Sequence, residues 1–204
     1  MSLYPFNTNW GPRRAQSDAP GVLTTLGAGV IYSPGSPALD DVDWFVTSAD
    51  MKVGAYTLAK TAPDVGARNV TVTQTATDAE DTNGTIVVVG KDLAGNAITE
   101  TLTPNAGDTV AGTKAFAEIT SITGVGWAVD GSGAVADKIT VGFGAIIGLP
   151  DTLTDTAQVL AASLNNVKEA TAPTVTVSPT ALESNTVDLD SVLNGTPVKI
   201  YYVV

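Results

Sequence analysis

The chain has 204 residues with 21 acidic and 10 basic side chains, a net charge of −11. This charge argues against general binding to nucleic acid or anionic membranes, because phosphate attracts positive charge. The chain has no His and no Cys, which excludes zinc fingers, disulfides, thiol nucleophiles and Ser-His-Asp triads. The 29 Thr and 25 Val residues are β-branched and favour pleated sheets. We therefore expect an all-β protein that is not an enzyme and uses neither cofactor nor metal.

Residues 1–20 show neither a helical nor a strand period, and they include three prolines. They carry a charge of 2 − 1 = +1, whereas the other 184 residues carry 8 − 20 = −12. Two interpretations stay open for this segment: a frayed terminus, or an arm whose aromatic residues anchor it on a neighbouring subunit. The residues that would make such a contact are Tyr4, Phe6, Trp10, Arg13 and Arg14.

Residues 21–50 are rich in Gly and Pro and then become acidic. We expect a connecting segment here, with one short strand at 30–32. Asp40, Asp41 and Asp43 lack the alternating ligand positions and the closing Glu of an EF-hand loop. They are therefore predicted to form a solvated turn.

Strand patterns dominate residues 51–149. The run RNVTVTQTAT at 68–77 alternates Val with Thr, which is typical of a half-buried strand, and Ala94-Gly95-Asn96 has the composition of a hairpin turn. Turns every eight to twelve residues favour an antiparallel sandwich or barrel over βαβ units. The predicted strands are 51–60, 68–77, 85–89, 96–103, 114–122 and 138–143.

The last third continues this pattern, with strands predicted at 173–177, 186–193 and 199–204. Residues 156–164 fit either a strand or a short helix. We expect an arm and connector at 1–50, a main β domain at 51–150, and strands at 151–204 that complete this domain or form a small second one. No apolar run is long enough to span a membrane and no secretory signal is visible, so synthesis in the cytosol is expected.

Two loops invite a chemical interpretation. Asp78, Glu80 and Asp81 are the densest acidic cluster, but Asp, Asn, Thr and Gly are the residues that turns require, so a solvated loop is favoured over catalysis or Ca²⁺ binding. The glycines of GVGWAVDGSG lack the third Gly and the helix of a dinucleotide-binding loop. Trp127 in this loop is expected to be buried in the domain or at a subunit contact, with sugar stacking as a further alternative.

The segment RNVTVTQTATDAEDTNGTIVVVGKDLAGNAITETLTPNAGDTVAGTKAFAEITSITG, with KITVGFG, IIGLP and the ending NGTPVKIYYVV, resembles a family of structural proteins in the virions of tailed bacteriophages. The resemblance covers residues 68–204. Its most distinctive parts are GKDLAGNAITET and GTKAF, which are sheet and turn patterns without catalytic residues.

The resemblance implies a β-rich virion component, and a head decoration (cement) protein is the first expectation. Such a protein would lie on the capsid surface after synthesis in the host cytoplasm. It would contact the major capsid protein and copies of itself, as a homotrimer, and would bind neither nucleic acid nor membrane. The contact residues would be the five side chains of the arm together with Trp127. Two alternatives stay open: a tail-tube or tail-fibre component, and a carbohydrate-binding adhesin that uses Trp127, Tyr56 or surface Thr.

Overall fold

A computed structural model of the chain describes residues 15–16, 23–24, 29–77, 81–105, 107–128 and 136–204. These residues form antiparallel strands and two short 3₁₀ turns, with no α-helix in the described part, so the expected all-β class is confirmed. The 3₁₀ turns are Thr156–Gln158 and Leu182–Ser184. The strands are β1 Ala15–Gln16, β2 Leu23–Thr24, β3 Gly29–Gly35, β4 Asp41–Asp50, β5 Gly54–Ala55, β6 Arg68–Thr75, β7 Thr85–Lys91, β8 Ala97–Leu102, β9 Thr109–Phe116, β10 Glu118–Val125, β11 Lys138–Gly148, β12 Val159–Leu164, β13 Val167–Lys168, β14 Thr174–Thr176, β15 Thr186–Asp188 and β16 Val198–Val203.

Three sheets follow from the pairing of these strands, apart from the two-stranded ladder of β1 and β2. Sheet 1 has the order β5-β10-β7-β8, and sheet 2 has the order β14-β15-β11-β6-β9 with β4 also paired to β11. Sheet 3 has the order β13-β12-β16-β3. Strands β7 and β8 form a hairpin and pair with each other without a register shift. The predicted turn between them contains Gly95, which adopts a positive φ of 85°.

The first hydrophobic core lies between sheets 1 and 2. Alternate residues of both sheets point into it, as the period-two patterns predict. Where the two sheets meet at β8 and β9, the Glu100 carboxylate accepts hydrogen bonds from the backbone N–H groups of Thr113 at 2.7 Å and Lys114 at 3.3 Å. The main buried residues are Phe45, Val70, Val72, Ile86, Val88, Phe116, Ile119, Ile122, Ile139, Val141 and Phe143.

A second core lies between sheet 3 and the β14–β15 end of sheet 2. Strand β11 connects the two cores, because Phe143 belongs to the first and Ile147 to the second. One edge of β11 pairs first with β4 and then with β15. The buried residues of this core are Ile147, Leu149, Leu153, Ala162, Val187, Leu189, Leu193, Val198, Ile200 and Tyr202.

Buried polar side chains hold the irregular parts of the chain in place. Arg68 is 1 % exposed and donates from Nε to the carbonyl oxygen of Gly144 at 2.8 Å and from Nη1 to that of Ala38 at 2.9 Å. Its Nη1 also forms an ion pair of 2.9 Å with Asp64, and burial lowers the pKa of the guanidinium. Asn185 is fully buried and ties together the loops around Leu153 and the second 3₁₀ turn.

Several boundaries differ from those expected. The short strand expected at 30–32 is present as β3. The rest of 29–50 is not a connector, because β4 joins sheet 2 and contains Asp41 and Asp43 of the predicted acidic turn. The strand predicted at 51–60 is reduced to β5, and that at 114–122 is two strands separated at Ala117, whose N–H donates to the carbonyl of Lys91. Residues 156–164 contain both alternatives, a 3₁₀ turn followed by β12.

Candidate interaction surface

The two faces of sheet 3 differ because its side chains alternate. Ile31, Tyr201 and Ala161 lie directly opposite one another on β3, β16 and β12, and residues opposite in antiparallel strands share a face. Ile31 is 64 % exposed and the other two are partly exposed, so this row faces outward. The neighbouring row faces the second core and comprises Tyr32, Ile200 and Ala162.

Charge distinguishes this sheet from the rest of the molecule. The strands GVIYSPG, VLAASL, VK and VKIYYV contain two lysines and no Asp or Glu. All 21 acidic residues therefore lie elsewhere in the chain. Lys199 and Lys168 flank Ser163, which is 4 % exposed, in a second row on the same face. The outer face of sheet 3 is thus apolar and weakly basic on a strongly acidic protein.

Three of the nine large apolar side chains that are exposed in the described part of the chain belong to sheet 3. Leu160 is 63 % exposed at a bulge of β12. Val167 is 68 % exposed on β13, but it lies in the row of Leu164 and Val198, on the opposite face from Ile31. A monomer usually exposes such residues singly, and a contiguous apolar patch marks a contact site. The arrangement can bury apolar area against a flat partner without bringing carboxylates together.

Two local features hold the sheet in its register. Asn165 and Asn166, with φ of 52° and 61°, make the tight turn between β12 and β13, a conformation that Asn tolerates. Tyr202 is fully buried on β16, and its hydroxyl donates to Asp151 Oδ2 at 2.5 Å. Burial and the adjacent carboxylate raise the pKa of Tyr202 well above its usual value.

The residues proposed for contact on sequence grounds are not brought together on this surface. Tyr4, Phe6, Trp10, Arg13 and Arg14 lie outside the described residues. Trp127 is 6 % exposed and packs in the first core. Of the alternatives expected for this side chain, the structure shows burial within the domain. Tyr56 is also 6 % exposed, and its hydroxyl accepts from the Lys52 N–H at 2.9 Å. Neither ring offers an open surface for stacking on a sugar.

The acidic loop residues serve the framework where they are described. Asp137 is 2 % exposed and accepts from Gln74 Nε2 at 2.8 Å and from the Thr77 N–H at 2.6 Å, while Asp81 accepts from the Asp137 N–H at 3.2 Å. Asp78 and Glu80 lie outside the described residues. Among the described residues, no three Asp, Glu, His or Cys side chains are grouped to hold a metal ion, and no helix is long and apolar enough to cross a membrane.

Sequence reasoning missed the outer face of sheet 3, although one signal for it was present. In VKIYYV, the residues alternate between buried and partly exposed, and they include Lys but no acid. The sequence does not show the pairing that places β3 and β12 on either side of β16.

Comparisons with protein-family models, curated proteins and solved structures return no match.

Proposed function

We propose that this chain is a non-enzymatic structural protein of a bacteriophage virion, namely a head decoration protein that binds the outer capsid surface and ties neighbouring capsid subunits together. The observation that carries this proposal is the outer face of sheet 3, which is apolar and free of carboxylates on a body of net charge −11. Such a face supports a role in adhesion. The resemblance of residues 68–204 to virion structural proteins is the reason for proposing that the surface it binds belongs to a virus particle.

Binding through this face would be driven by burial of apolar area. At about 25 cal/mol per Å², a face of about 800 Å² on each partner gives a large gross driving force, of which ordering and desolvation cancel most. Modest affinity is sufficient in a shell, because contacts to several subunits at once raise the effective concentration. Each bound copy would then resist separation of the capsid subunits under it.

The buried polar groups support a rigid and static domain. Arg68, Asn185 and Asp137 are buried and hydrogen-bonded to backbone groups of other segments. These bonds fix the loops between strands. A protein that holds capsid subunits together must keep its shape when they are pulled apart.

Antibody labelling of intact particles tests the proposal. The virus that carries this gene is incubated with antibody to the purified chain and imaged by electron microscopy. We expect label distributed over the shell. Label confined to the tail would overturn the head assignment in favour of the tail alternative, and particles without the chain would overturn a virion role altogether.

The amino-terminal segment is tested separately. A chain that lacks residues 1–20 is compared with the full chain for binding to expanded heads by co-sedimentation. We expect lower occupancy if the aromatic residues of the segment anchor it on a neighbour. Equal occupancy would remove the segment from the proposed mechanism and leave sheet 3 as its only contact.

A further inference from the structure

Two lysines of sheet 3 differ from the other basic side chains in the described part of the chain. Two of the ten Lys and Arg residues lie outside that part, which leaves eight. Four of the eight form ion pairs with Asp or Glu, and two more lie over aromatic rings. The ion-paired residues are Arg68, Lys91, Lys114 and Lys138, and those over rings are Lys52 and Lys60. Within the same part of the chain, Lys168 and Lys199 have neither kind of partner.

Both lysines lie in one row across three strands of the outer face. Ser163 of β12 is directly opposite Lys168 of β13 on one side and Lys199 of β16 on the other. Residues that are opposite in antiparallel strands have Cβ atoms about 5 Å apart, so about 10 Å separates the Cβ atoms of the two lysines. Their flexible stems can therefore bring both ammonium groups to an anion placed between them. Two like charges this close repel each other, and such an anion offsets that repulsion.

Ser163, between the two lysines, also lacks a partner. It is 4 % exposed, and its Oγ forms no hydrogen bond within the described residues. A buried hydroxyl without a partner costs free energy, whereas an oxyanion at this row would accept its hydrogen bond. Lys199 donates from Nζ to Asn166 Oδ1 at 2.8 Å, and an ammonium group has further hydrogens to donate. The row thus offers three donor side chains to one acceptor.

No carboxylate in the described part of the chain serves as that acceptor. Glu169 follows Lys168 in the sequence, but it is 9 % exposed and its carboxylate accepts from the Ser191 N–H at 2.9 Å. The strands of sheet 3 themselves contain no Asp or Glu. A row of donors on a chain with 21 acidic residues therefore remains open to an anion of another molecule.

We propose that Lys168, Ser163 and Lys199 together bind a carboxylate of the protein on which sheet 3 docks, an Asp or Glu side chain beside an apolar patch. The inference rests on the proposed function and names the chemistry of the partner. The row is continuous with the apolar row on the same face, because Tyr201 and Lys199 are alternate residues of β16. A partner that covers both rows therefore needs apolar area with a carboxylate at its margin.

Charge and the neighbouring apolar row favour a protein carboxylate over other oxyanions. A polyanion such as nucleic acid would be repelled by the net charge of −11. Free phosphate would leave the apolar row exposed to water. A second copy of the chain carries the same net charge, so its acidic surface is repelled by the rest of this molecule.

Removal of the two charges tests the site in the full chain. Lys168→Met with Lys199→Met keeps the apolar stems, and Lys52→Met with Lys60→Met makes the same change in net charge at two exposed lysines outside sheet 3. We expect the first pair to raise the dissociation constant for purified heads at least about tenfold more than the second. Lys168→Arg with Lys199→Arg keeps the charges and should bind nearly as tightly as the wild type. If the first pair binds as tightly as the control pair, or more tightly, the contact is purely apolar and the proposal is overturned.

Salt dependence gives a second measurement on the same proteins. The affinity of the wild type should fall more steeply with added sodium chloride than that of the first methionine pair, because screening weakens ion pairs. Equal slopes would overturn the proposal.

Two measurements on the chain alone identify the source of the anion. Calorimetric titration with inorganic phosphate should show no binding, and sedimentation at rising protein concentration should show no self-association that depends on the two lysines. Phosphate binding that is lost in the first methionine pair would assign the row to a free oxyanion. Self-association that is lost in it would assign the row to a second copy, and either result would overturn the proposal.

The outcomes also separate this inference from the proposed function. Heads that bind the wild type and both methionine pairs alike refute the carboxylate site alone. Heads that bind none of these proteins refute the decoration role, and the inference fails with it.

Discussion

Replacement of Arg68 by Met should destabilise the protein more than almost any other single polar substitution. Arg68 is 1 % exposed, stacks 4.1 Å from the Phe143 ring, and bonds to the carbonyls of Gly144 and Ala38 and to the carboxylate of Asp64. Met fills similar space but leaves these acceptors without a donor. Breaking a buried pair on one side costs about 3–5 kcal/mol, a large part of a total stability of about 5–15 kcal/mol.

The assay is urea unfolding followed by tryptophan fluorescence, with the free energy of unfolding extrapolated to water. The control is Lys91→Met, which removes an exposed ion pair with Glu118 at 2.9 Å and should cost less than about 1 kcal/mol. Arg68→Lys should fall between the two, because one ammonium cannot reproduce the guanidinium fork. A loss for Arg68→Met no larger than that of the control would refute the reasoning.

Three further substitutions test the framework by the same unfolding measurement. Tyr202→Phe removes the hydrogen bond to Asp151 and should cost about 1.5–3 kcal/mol; an unchanged stability would contradict this. Gly142→Ala places a Cβ 1.7 Å from a β4 carbonyl oxygen and should cost about 1–3 kcal/mol, whereas Gly29→Ala meets no atom within 4 Å and is the control. Burial raises the pKa of Asp188, so the native state holds its proton more tightly and stability declines as pH rises above about 4, the ordinary pKa of an aspartate. Asp188→Asn should flatten this decline, and an unaltered slope would argue against it.

The strands with clear alternation could be predicted from sequence. β6, β7 and β8 lie within a few residues of the expected positions, because apolar residues alternate with Thr in β6 and β8 and β7 is an apolar run bounded by Gly. Local chemistry is sufficient for β7 and β8, which pair with each other across a short turn. β6 keeps its alternation although it is buried on both faces and pairs with the distant strands β9 and β11.

Elements that depend on distant partners were not predictable. The acidic start of β4 has the composition of a turn, yet β11 recruits it as a strand, with Asp41 opposite Phe143. Arg68 begins a predicted strand, but nothing local indicates that its guanidinium is buried against Phe143 and Ala38. Tertiary packing overrides propensity at both sites.

The outer face of sheet 3 depends on register in the same way. The alternation in VKIYYV predicts two faces for β16, but only the pairing with residues more than 160 positions earlier shows that Ile31 extends the outward row. Trp127, by contrast, lies in a Gly-rich loop where the sequence allows an exposed contact, and the fold buries it. Sequence pattern alone does not determine which aromatic residue reaches the surface.

The proposed role of sheet 3 is tested most directly by the affinity of the full chain for purified heads. Ile31→Glu with Tyr201→Glu places two carboxylates on the outward row. Val53→Glu places one at a similarly exposed apolar site directly before β5 of sheet 1. We predict that the dissociation constant of the double variant is at least tenfold higher, a loss of about 1.4 kcal/mol of binding free energy. Val53→Glu should bind nearly as tightly as the wild type. Undiminished binding of a correctly folded double variant would contradict the assignment of the contact to this sheet.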